Sequence, residues 1–148
     1  MPTRILTSPA KEQRPFYIRD LKEQIRGCEH PRCPFPLDQI SGLAVHEGLV
    51  SFGEMSGVID KDVDLLLALS PANTFVLHNM ACHIGNRPSK EDCVEMLRRR
   101  PKRIWQHYGF KNAQEAVTIF YGRLKELHEQ GKFKQFPGLP KNLEILFD

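Results

Sequence analysis

SPANTFVLHNMACHIGN occupies residues 70–86 of the chain. Ser70-Pro71 ends whatever precedes it, because the residue before a proline is pushed out of the helical region. Asn73, two residues after that proline, suits a turn. The apolar residues that follow read as a brief extended piece leading into a compact turn or helix start. His78 and Cys82 are separated by three residues, so one tight turn can present both side chains to the same point.

A second pair with the same property lies upstream. Cys28 and Cys33 are separated by four residues within CEHPRCPFP, where three prolines in six residues forbid a helix and suit a rigid knuckle. Structural zinc takes four nitrogen or sulfur ligands in a tetrahedron, commonly as two such pairs. Cys28, Cys33, His78 and Cys82 form that set, and the pairs lie 45 positions apart, which makes zinc a clip across a long loop. His30 competes as a ligand, since its spacing overlaps that of the cysteine pair. The alternative is that the cysteines are plain reduced thiols and His78 a satisfied, half-buried histidine. Cys93 sits beside Val94 and Leu97 in a helical pattern and reads as a small core residue.

Between the pairs, LAVHEGLV (residues 43–50) has the apolar and β-branched content of a short strand, with His46 in it. Residues 51–60 are glycine-rich and loop-like, and Asp60 can cap a short helix through VDLLLAL. Downstream, Ser89 with Asp92 predicts a capped helix that Pro101 ends. Pro101 can start another, carrying Ile104, Trp105 and Tyr108 and stopped by Gly109. Asn112 and Glu115 open the longest helix, with Ala116, Val117, Phe120, Leu124 and Leu127 on one face and Gly131 at its end. Upstream, Ile18, Leu21 and Ile25 recur at helical spacing before Gly27. Residues 1–14 read as a flexible arm and residues 132–148 as an irregular tail, leaving one domain over 15–148 with supporting helices at 89–131.

The order of these residues resembles the zinc-containing branch of the HNH endonucleases. A cysteine pair precedes a strand bearing His46. A loop follows, then Asn73, His78 and Cys82, with His83 directly after the cysteine. The resemblance covers roughly residues 28–90. It implies an α+β fold, a ββα-metal (HNH-like) core with structural zinc followed by a mostly helical C-terminal half. It further implies His46 as general base, Asn73 as a hydrogen-bonding orienter of the His46 strand or ring, and His83 as ligand of a catalytic divalent metal, Mg²⁺ or Mn²⁺. Asn86 is a weaker ligand on the same turn. Two departures stand out. His78 occupies a place where cysteine is more common. Val45 stands where the family carries a second metal ligand, and Glu47 follows His46 instead. Adjacent strand residues face opposite ways, so Glu47 serves only if a bulge re-aims it.

The bulk numbers permit this reading without demanding it. The 148 residues are 41% hydrophobic and 26% charged, and 21 Lys plus Arg against 18 Asp plus Glu give +3. That mild excess allows a polyanionic partner. RRRPKR (98–103) is the densest basic run, and Arg98, Arg99, Arg100, Lys102 and Arg103 are positioned in sequence to hold a phosphate backbone. The same run also suits a solvated helix end. Nucleic acid, DNA foremost, is the expected partner. No apolar run reaches membrane-spanning length and no secretory leader is visible, so a cytoplasmic location is the default expectation. Small single-domain members of the resembled family commonly come from phages, mobile elements and bacteria. Two other readings share the residues: a zinc-stapled nucleic-acid-binding module without catalysis, and an all-helical interaction protein without metal.

Overall fold

The computed structural model describes residues 10–33, 42–50, 70–131 and 138–147. The glycine-rich stretch 51–60 and the helix expected after Asp60 lie outside them. Helix α1 spans Ala10–Ile25, strand β1 Leu43–Glu47 and strand β2 Thr74–His78. A single π-helical turn, Asn79–Ile84, follows β2 directly. Helices α2 (Lys90–Arg99), α3 (Lys102–His107) and α4 (Ala113–Glu129) come next, and a 3₁₀ turn covers Leu143–Phe147. The architecture is a mixed one, with helices around a small two-stranded antiparallel sheet. No helix among the described residues is long and apolar enough to cross a membrane.

β1 and β2 pair in unbroken register from Leu43↔His78 to Glu47↔Thr74. β2 is buried along its whole length, whereas β1 is half-buried. The difference has a cause on the far edge of β2. There Glu29 N donates to Val76 O (2.7 Å), and Val76 N donates to the Glu29 carboxylate (3.0 Å). The knuckle thus satisfies backbone groups of β2 that a two-stranded sheet would leave open. Helix α1 crosses the same strands: Tyr17 hydroxyl bonds to Thr74 Oγ1, and Arg14 pairs with Glu47 at 2.9 Å. Its other tie is to α3, where Asp20 Oδ2 accepts from Tyr108 OH at 2.7 Å. Phe75, Leu97, Trp105, Phe120 and Leu124 fill the core between these layers.

The helices behind the sheet begin and end as their sequence signals predict. Ser89 and Asp92 exchange side-chain and backbone hydrogen bonds in a capping box. Asn112 caps α4 through Glu115 N, and Ala116, Val117, Phe120, Leu124 and Leu127 are its buried residues. Three expectations need correction. Helix α1 starts at Ala10, so residues 10–14 are helical and not part of an arm, with Pro15 inside the helix. β1 stops at Glu47, short of residue 50, because Asn73 captures the next backbone groups. The tail is not irregular throughout: Leu146 is buried, and Asn142 Nδ2 donates to Glu91 O (3.1 Å), which fastens the 3₁₀ turn to α2.

Candidate functional site

The turn at residues 28–33 is closed by Cys33 N donating to His30 O (3.1 Å). It brings two sulfurs to the end of β2. His78 is the last residue of that strand, and Cys82 lies on the π turn beyond it. The ligand atoms of Cys28, Cys33, His78 and Cys82 all lie within 4.8 Å of one another. A zinc tetrahedron with metal–sulfur bonds of about 2.3 Å has sulfur–sulfur edges of about 3.8 Å, so the set needs only a small contraction. Cys33 Sγ stands 3.3 Å from His78 Nδ1, which makes Nδ1 the nitrogen that faces the sulfurs.

The electrostatics agree with that donor set. Burial pushes the Cys28 thiol up. Burial, followed by the neighbouring Cys28 and Cys33 thiols, pushes Cys82 up to about 12. Crowded thiolates repel one another in a partly desolvated spot, and a divalent cation reverses that balance. The cluster can therefore hold a metal ion such as zinc. His30 is not among its ligands. Its Nδ1 accepts from Arg32 N (3.0 Å), and its Nε2 bonds to Asn86 O (2.7 Å), so it laces the knuckle to the loop after the π turn. Cys93 is fully buried in the core.

One residue beyond Cys82, the chain faces a different direction. The His83 ring meets His46 of β1 with centroids 4.9 Å apart at 58°. The wide π turn gives the two neighbours their divergent aims. His83 Nδ1 pairs with Asn79 Oδ1 (3.3 Å), which leaves Nε2 as the ring nitrogen that Asn79 does not engage. Burial, and then the charges of His83 and Arg87, lower His46 to about 4, with Glu47 opposing. His46 is thus a neutral imidazole at pH 7. Arg87, which sequence reasoning missed, lies on the same face and donates from Nε to His83 O (3.3 Å). Its signal was a basic residue four positions after His83.

Asn73 is fully buried. Its Oδ1 accepts from Leu49 N and Val50 N, both at 2.8 Å, and its Nδ2 donates to Val50 O at 2.8 Å. It fastens the exit of the His46 strand, not the His46 ring. Glu47 and Val45 sit on the strand face opposite His46. Val45 packs against the core and Glu47 is held by Arg14. The unbroken register contains no bulge to re-aim either one. Asn86 engages through its backbone carbonyl and has an exposed side chain.

The basic run splits up. Arg98 and Arg99 are exposed and pair with Glu95. Lys102 and Arg103 are exposed as well. Arg100 is not a surface residue: its side chain is 0% exposed and forms a two-point ion pair with Glu29 at 2.8 and 3.0 Å. It also donates to Pro71 O (2.6 Å) and Thr74 O (2.9 Å), and stacks near Phe75 and Trp105. Comparison with protein-family models, curated proteins and solved structures gives no significant match.

Proposed function

We propose that this chain is an HNH-type endonuclease, a zinc-stapled ββα unit that hydrolyses phosphodiester bonds of DNA. One juxtaposition carries the reading: His46 on the first strand faces His83 on the turn after the second, 4.9 Å ring to ring. Asn73 holds the exit of the first strand, and Cys82 of the metal cluster is the neighbour of His83. Strand, strand, turn and helix follow in the order that the HNH resemblance implies.

The chemistry then divides among named atoms. His46, neutral at pH 7, takes the proton of the attacking water. The Arg87 guanidinium, which donates to the His83 carbonyl, binds a phosphate oxygen. His83 Nε2 is the atom that would hold Mg²⁺ or Mn²⁺, which supplies charge neutralisation on the scissile phosphate and leaving oxygen. Glu47 is weakened as a participant by its ion pair with Arg14.

Val45 favours a second reading, a DNA-binding module that does not cut, because it removes a metal ligand from the strand. Plasmid nicking separates the two. The protein is incubated with Mg²⁺ or Mn²⁺, or with neither, beside His46→Ala. Metal-dependent nicking that falls by about 10²–10⁴-fold in the variant is the expected result. Absence of cleavage in any metal, with zinc and DNA binding intact, leaves the binding module.

A further inference from the structure

A groove of about 1020 Å³ lies between α1, the start of β1 and α3. Arg19, Lys22, Arg26 and Arg103 line it, and the acidic residue beside them is Glu23. Among the described residues none of these four cations is ion-paired to a carboxylate. Arg103 reaches the groove by donating to Gln24 O (3.1 Å), and Arg26 is anchored through Glu23 O (3.1 Å). Arg19 and Lys22 are three residues apart on one side of α1, and Arg26, just past its end with φ 57°, lines the same groove, a span of about 10 Å.

We infer that this groove binds the phosphodiester backbone of nucleic acid. Phosphates recur about every 3.4 Å of duplex axis on each strand, so a cationic stripe of this length meets more than one of them. A concave channel suits a strand better than a flat lipid surface. The groove also reaches Leu43 of β1; His46 lies three residues farther along that strand, about 10 Å away, on its other face. The inference deepens the nuclease reading and rests on it for the identity of the ligand. Of the four cations that line the groove, only Arg103 belongs to the basic run at 98–103.

The test reads binding apart from cleavage. A labelled 20-base-pair duplex and a single strand of the same length are titrated without added Mg²⁺ or Mn²⁺, across 50–200 mM salt. The wild type is compared with the triple variant Arg19→Gln, Lys22→Gln, Arg26→Gln. Expected is a loss of at least about tenfold in affinity. The log–log salt slope should fall by about two to three, since each phosphate that a cation no longer neutralises on a duplex lowers it by about 0.9. Should the triple variant lose its zinc or its cooperative melting, Lys22→Gln alone must still lower the slope by about one. Unchanged affinity and slope overturn the inference. So does a wild type that binds phosphatidylserine vesicles or polyglutamate but neither nucleic acid. Loss of nicking in His46→Ala with binding unaltered bears on the cleavage reading alone.

Discussion

Asn73 makes three buried backbone hydrogen bonds across the exit of β1. Truncation to alanine strands two N–H groups and one carbonyl away from water, and each orphan costs about 1–3 kcal/mol. Asn73→Ala is therefore expected to lose at least about 3 kcal/mol of stability in urea titration. It should also loosen the His46 strand, so nicking should fall further than the smaller folded fraction explains. Asn73→Asp keeps the acceptor but buries a charge without the donor, and should fare no better. Normal stability in either variant would show that the loop holds itself. At the same scale His46 has a local explanation: a half-buried ring beside His83 and Arg87 is disfavoured as a cation, which leaves its lone pair available at pH 7.

Several elements converge on Arg100 at the end of α2. The guanidinium joins Glu29 of the knuckle to the carbonyls of Pro71 and Thr74 around β2. Breaking a buried ion pair from one side leaves a stranded charge and costs about 3–5 kcal/mol. Arg100→Ala should show that loss in denaturant melts, and Arg100→Lys should recover little of it, since an ammonium cannot bond at two points while stacking on rings. Full recovery by lysine would mean that charge alone matters. This residue also marks the limit of what could be read from sequence. The two ligand pairs, the capping box and the apolar face of α4 were legible because each is a local pattern. Arg100 sits in a run of basic residues, and nothing nearby separates it from Arg98 and Arg99; its burial depends on Glu29, a partner 71 positions away. The cations of α1 escaped notice because they are interleaved with acids and gather only when Arg103 folds back beside them. The start of α1 was missed because the polar residues around Pro2 and Pro9 read as an arm.

For the whole molecule, the ligand cluster is where the knuckle, the end of β2 and the π turn share a point. Zinc there would close the long loop between the ligand pairs, so a strong chelator is expected to lower the melting temperature markedly and broaden the transition. Elemental analysis should find one zinc per chain, and Cys82→Ser should lose it. A chain that melts identically with and without chelator would leave the cluster as four unligated side chains. The π turn gives that clip a mechanical reach. Cys82 and His83 are joined by one planar peptide, with Cα atoms about 3.8 Å apart. Soft dihedrals flank that plane on either side, but its fixed span ties the His83 backbone to the metal anchor. A substitute ion with longer bonds would therefore be felt at the histidine pair before it reached the helices behind the sheet.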